Sequence, residues 1–179
     1  RELEKNMDGY QNSVRAVMRA AGARRLRGIL GPVSTILKVE PGCEVAIETA
    51  LGGALQNIVV ENEAAAKAAI ALLRNDHAGR ATFLPLDTVQ PGVFRGRLSG
   101  TARLASALVQ ADPRYENIVS NLLGRIIVVE DINEASRVAR DNGYHNKVVT
   151  MDGQVINAGG SFTGGSVQRS AGLFTRKQE

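Results

Sequence analysis

Residues 157–166, NAGGSFTGGS, carry four glycines (Gly159, Gly160, Gly164 and Gly165) within seven positions, directly after a run that reads as a strand. Glycine has no side chain and tolerates unusual dihedrals, so such a stretch lets bare backbone approach a phosphate, another part of the fold or a second chain. Phosphate chemistry has its own signature, G-x-x-x-x-G-K-[ST], in which the lysine reaches the β and γ phosphates. Gly160 and Gly165 supply the glycine spacing, but Ser166 and Val167 stand where lysine and a hydroxyl residue belong. The dinucleotide pattern G-x-G-x-x-G is absent as well, and the stretch follows a hairpin strand late in the chain instead of opening a βαβ unit.

Nucleophilic and acid–base chemistry have little to work with. No G-x-S-x-G elbow occurs, and His77 in NDHAG and His145 in GYHNK lie in polar, turn-like contexts with no motif tying either to a serine or cysteine. Cys43 is the one cysteine, so it can form no internal disulfide, and it lacks a metal-ligand partner at a usable spacing. Glu48, Glu61 and Glu130 could act as acid–base groups, yet nothing distinguishes them from the carboxylates that cap helices. The expectation is no catalytic residue and no metal site. An enzyme domain that binds a phosphate or nucleotide through the glycine-rich loop stands as the second reading.

The net charge of +4 is unevenly placed. Five arginines and no acidic residue fall between Arg15 and Arg27, a run that either meets phosphate electrostatically or is a solvated face. Aromatic residues make up 4% of the chain and there is no Trp, so a nucleic-acid contact would fall on the backbone, with strong salt dependence and little regard for base sequence. The apolar content of 44% is enough for a core, and no run of eighteen apolar residues or signal-peptide pattern is present. A globular protein in the cytoplasm, away from membranes, is expected.

The elements that must position these residues alternate between helix and strand. Leu3, Met7, Tyr10, Val14, Val17 and Ala21 follow the 3.5-residue spacing of a coiled-coil seam, over too few heptads to separate it from an ordinary amphipathic helix. The pattern is already running at Arg1, as in the stub of a longer coil. CEVAIETAL predicts a helix, NIVV a strand, NEAAAKAAIALLRND a helix capped by Asn62, and RATFL a strand. Residues 85–100, with two prolines and three glycines, read as a loop or linker. PRYENIVSNLL then predicts a helix capped by Asp112, RIIVV a strand, and DINEASRVARDN a helix capped by Asp131 and ended by Gly143. KVVTM and QVIN read as strands joined through Asp152-Gly153. Val59-Val60-Glu61-Asn62 matches Val128-Val129-Glu130-Asp131 at an offset of 69, so the two halves share one plan. The fold class is α+β (mixed α/β), two related small subdomains with helices on short sheets, flanked by coiled-coil stubs.

EVAIETALGGALQNIVVENEAAAKAAI, GRATFLPLD, DPRYENIVSNLLGRIIVVEDINEA and KVVTMDGQVINAGGSFTGGS resemble, in order, the hinge domain of bacterial structural maintenance of chromosomes (SMC) proteins. The resemblance implies a coiled-coil stub and entry helix at 1–27, hinge subdomains at 28–88 and 101–166, a linker at 89–100 and an exit segment at 167–179 toward a returning coil. It implies a homodimer of a chromosome condensation and segregation ATPase, its contact formed by Gly159, Gly160, Ser161, Thr163, Gly164 and Gly165. No cofactor is expected in this chain, ATP being bound by head domains outside it. A weak, sequence-independent DNA site is expected at Arg24, Arg25, Arg27, Arg169, Arg176 and Lys177, although the basic run after the glycines is thinner than in many relatives. A nucleoid-associated location in the cytoplasm follows.

Overall fold

A computed structural model of the chain describes residues 9–166. In chain order the elements are α1 (Asn12–Gly22), β1 (Ile29–Pro32), a single helical turn α2 (Val33–Ile36), β2 (Lys38–Val39), α3 (Glu44–Leu51), β3 (Ile58–Val60), α4 (Glu63–Asn75), β4 (Phe83–Pro85), β5 (Arg103–Leu104), β6 (Val109–Gln110), α5 (Glu116–Leu123), β7 (Ile127–Val129), α6 (Ile132–Asp141), β8 (Val148–Thr150), β9 (Val155–Ile156) and β10 (Phe162–Thr163). Short 3-10 segments, Gly52–Gln56, Ala105–Leu108 and Pro113–Tyr115, join some of them. Helices and small sheets are thus mixed as the alternation implies, in two compact units.

Among the described residues, the first unit comprises those from Gly9 to Ile36 together with Gly53–Gln90. Its sheet has the order β1-β3-β4, with β3 antiparallel to β1 and parallel to β4. The β-branched run Ile58-Val59-Val60 is wholly buried at its centre, and each such side chain contributes ~2 kcal/mol by leaving water. Burial on that scale explains how a three-residue strand persists. Helix α4 crosses from β3 to β4. Asn62 caps it by accepting from the Ala65 amide at 2.9 Å, and Ala65, Ala66, Ala69 and Leu73 form its buried stripe. Alanine at these positions combines high helix propensity with a close approach to the sheet.

Helix α1 belongs to this unit as well. Val14, Val17 and Ala20 are buried on its inner face, and Tyr10, itself buried, bonds through its hydroxyl to Ser34. Burial pushes the Tyr10 phenol up. From Tyr10 onward the seam is therefore the apolar stripe of an amphipathic helix facing its own core, and Ala21 is less buried than Ala20. Leu3 and Met7, the other seam positions, lie outside the described residues.

Among the described residues, the second unit comprises Leu37–Gly52 and the chain from Pro91 to Ser166. This departs from the contiguous 28–88 subdomain and the 89–100 linker read from the sequence. Several contacts hold Leu37–Gly52 here, among them the Arg103–Glu40 ion pair at 3.5 Å. Strand β2 pairs with β6, the Glu40 amide donates to the Leu108 carbonyl at 2.8 Å, and the Lys147 Nζ donates at 3.0 Å to the Ala50 carbonyl at the end of α3. Half-buried there, the Lys147 ammonium is held below its ordinary range by desolvation. Residues 91–100 are pinned to the same unit. Phe94 packs on the core, Ser120 Oγ donates to the Gly92 carbonyl at 2.7 Å, and Asn142 bonds both the amide and the carbonyl of Arg97.

The main sheet of this unit runs β10-β9-β8-β7-β5, parallel only between β7 and β8. Ile127, Val129, Val148 and Ile156 pack against Ala135, Val138 and Ala139 of α6. The motif β7-α6-β8 repeats β3-α4-β4. Ile127-Val128-Val129 stands 69 positions after Ile58-Val59-Val60, and Asp131 caps α6 by accepting from the Glu134 amide as Asn62 caps α4. The Asp152-Gly153 turn joins β8 and β9 as read, with Gly153 at φ 90°.

Candidate functional site

The glycine-rich stretch forms the hairpin from β9 to β10 at one edge of the five-stranded sheet. The Asn157 amide donates to the Ser161 carbonyl at 2.7 Å, and Asn157 Nδ2 reaches Ser161 Oγ and Thr163 Oγ1, both at 3.1 Å. Antiparallel pairs alternate between bonded and non-bonded. With Asn157 and Ser161 bonded, Thr163 with Val155 is the next bonded pair, and Phe162 with Ile156 is non-bonded. The Phe162 N–H and C=O therefore face away from β9, toward an edge that has no partner strand among the described residues. Residues 161–166 are all exposed, and Phe162 is 60% exposed, far beyond what its ring would have in a core.

The four glycines serve different ends. Gly159, Gly160 and Gly165 have φ of 93°, 99° and 131°, values that side chains oppose. Around Gly159 and Gly165 an added methyl would meet nothing within 4 Å, so the room beside them is open. At Gly164 a methyl would collide with the Gln154 side-chain oxygen. Gln154 grips the end of the hairpin, its Oε1 accepting from the Gly165 amide at 2.8 Å and its Nε2 donating to the Gly165 carbonyl at 3.0 Å.

This arrangement argues against a phosphate cradle. Such a loop offers free amides at the start of a helix, whereas this one links two strands. Its amides at Gly159, Gly160 and Gly165 already donate, to the Tyr144 carbonyl, the Asn157 carbonyl and Gln154 Oε1. The other candidates for chemistry remain dispersed. The buried Cys43 thiol is pushed up by burial and by its contact with Glu40. Glu61 and Glu130 are exposed and Glu48 half-buried, and no group of three or more His, Cys, Asp or Glu among the described residues could hold a metal. Among the same residues no helix is long and apolar enough to cross a membrane.

Arg24, Arg25 and Arg27 are exposed on the turn that follows α1, with Arg24 at φ 62° and Arg25 lying 3.7 Å from Asp76. Arg169, Arg176 and Lys177 lie outside the described residues. The sequence reading passed over Phe162 and Tyr144. Tyr144 is 38% exposed, its carbonyl holds Gly159, and its ring lies 3.6 Å from the place of a Gly160 methyl. The available signal was an aromatic residue set between two glycine doublets.

Residues 26–139 match the family described as SMC proteins Flexible Hinge Domain. The chromosome partition protein Smc of Desulfitobacterium hafniense is 38% identical over 187 residues, which takes in 100% of this chain and 16% of that protein. The chain thus spans about one sixth of the length of that relative. Among solved structures, an asymmetric dimer of the Geobacillus stearothermophilus SMC hinge domain superimposes with a TM-score of 0.89 at 36% identity, covering 99% of this chain and 73% of the other. The Pyrococcus furiosus Smc hinge domain with an extended coiled coil gives 0.75 at 28% identity, covering 93% and 60%. Two units built on one repeated βαβ motif, an exposed glycine-rich edge and these matches lead to one conclusion: the chain belongs to the SMC hinge domain family.

Proposed function

We propose that this chain is the homodimerisation hinge of an SMC chromosome-partition ATPase, joining two coiled-coil arms, with nucleotide hydrolysis carried out by head domains elsewhere in the protein. The observation that carries the proposal is the β10 edge, which has no partner strand among the described residues. Phe162 turns its N–H and C=O outward among exposed, glycine-flanked residues, and an unpaired edge of this kind is a template for strand addition. Gly159, Gly160, Ser161, Thr163, Gly164 and Gly165 keep the approach clear of bulky side chains, and Phe162 supplies apolar area. The dimer of the Geobacillus hinge and the coiled coil on the Pyrococcus hinge support the reading by likeness. A stable interface of this class buries ~1,200–2,000 Å².

Light scattering of the 179-residue chain at low micromolar concentration tests it, with an expected mass of two chains. Phe162→Pro deletes the outward donor while leaving the bonds to β9, so it produces monomers; Phe162→Ala keeps the donor and weakens the dimer less. A monomeric wild-type chain, or a Phe162→Pro variant that remains fully dimeric, refutes the proposal. A second role, weak and sequence-independent attachment to DNA at the nucleoid, is supported by the exposed Arg24 and Arg27 beside Arg25.

A further inference from the structure

The second unit contains a cleft of about 710 Å³ at which three arginines converge from two distant segments: Arg95 and Arg97 from the loop before β5, and Arg125 from the turn before β7. None of its lining residues belongs to the glycine-rich stretch or to the basic run after α1, and Gly143 and His145 on its wall flank the Tyr144 that holds Gly159. The loop that brings Arg95 and Arg97 is irregular but fixed. Asn142, buried at the end of α6, accepts from the Arg97 amide at 2.7 Å and donates to the Arg97 carbonyl at 3.0 Å. Gly92 and Gly96 let the loop lie this close, since a methyl on Gly92 would stand 2.6 Å from the Ser120 carbonyl oxygen, and one on Gly96 would strike Asn142 Oδ1. On the opposite side Asn146 Nδ2 donates to the Arg125 carbonyl at 2.8 Å. Two asparagines thus hold the backbone at both arginine-bearing segments.

The charges are unbalanced. Asp141 is the only acid on the lining, and among the described residues no ion pair engages Arg95, Arg97 or Arg125. His145 also lines the cleft. Its Nδ1 lies 3.1 Å from the Asn142 carbonyl oxygen, which only accepts, so Nδ1 is the donor of that bond and the ring is fixed against the end of α6. Guanidinium groups with their fixed fork of donors suit phosphate oxygens. The lining offers Val93 but no Phe, Tyr or Trp on which a base could stack. The volume is that of a small-molecule site and not of an extended strand.

From this geometry we infer that the cleft binds a compact polyphosphate anion, recognised through its phosphate oxygens and indifferent to any attached base. Calorimetric titration of the 179-residue chain with inorganic tripolyphosphate and with ATP tests it. Both are expected to bind equally, one per chain, with affinity that falls as salt rises. Arg97→Gln and Arg125→Gln each weaken binding by about tenfold, while the mass and circular dichroism of the chain stay unchanged. Lys67→Gln, which removes an exposed cation on α4 outside the cleft, leaves binding intact. The inference is overturned if neither anion gives a saturable heat at millimolar concentration, or if the Lys67 change costs as much as those in the cleft. It also fails if an oligonucleotide binds where tripolyphosphate does not.

Discussion

Gly159 and Gly53 both have open space where a methyl would go, yet only Gly159 lies at positive φ, 93°. That difference separates conformational need from room. Gly159→Ala and Gly165→Ala are expected to destabilise the fold by ~1 kcal/mol each or more through backbone strain alone. Gly53→Ala is neutral or stabilising by up to about 1 kcal/mol, because alanine restricts the unfolded chain. Urea midpoints of the three variants check the contrast. Alanine at all four glycines would therefore perturb the fold and a dimer contact together, whereas Phe162→Pro acts on the outward-facing donor. The glycine doublets were legible as a place where backbone is bare. Which of them turn the chain and which admit the Gln154 side chain was not, because φ and close approach are set by the hairpin and not by residue type.

Among the elements, the two capped helices were the most legible, since their signals are local. Asn62 and Asp131 each accept a bond from the amide three residues on, at 2.9 Å, at the head of a helix with a regular buried stripe. Asn62→Ala and Asp131→Ala should each cost ~1 kcal/mol of stability, with the loss measured by chemical denaturation and an unchanged native circular dichroism spectrum. The central strands β3 and β7 were also readable, as runs of three β-branched residues bounded by turns. Strands β2, β5, β6, β9 and β10 have two residues each, and of these only β9, placed by the Asp152-Gly153 turn before it, is legible in the sequence. A pair of residues has no period, and what makes it a strand is the partner it meets. Lys38–Val39 becomes one by meeting Val109–Gln110, some 70 positions on, and this pairing draws Leu37–Gly52 into the second unit.

At the scale of the whole molecule the basic run after α1 and the β10 edge carry separate predictions. DNA binding by the chain, followed by fluorescence anisotropy, is expected to fall steeply with salt and to be insensitive to base sequence. Arg24→Glu with Arg27→Glu should weaken it for every sequence and reduce the salt slope by ~1 for each phosphate that is no longer neutralised. Arg25, already beside Asp76, should matter less. Unchanged binding in the double variant would remove these arginines from the DNA interface. The sequence alone determined the repeated helix–strand plan, the caps, the hairpin turn, the glycine-rich stretch and the family resemblance, because each rests on residues adjacent in the chain or on spacing within a few turns. Only the tertiary structure decided that α1 turns its stripe into the first unit, that Leu37–Gly52 joins the second, and that Phe162 points its backbone outward. It alone brought Arg95 and Arg97 beside Arg125. All of these depend on contacts between residues far apart in sequence, whose pairing is chosen by burial and hydrogen bonding after the local elements have formed.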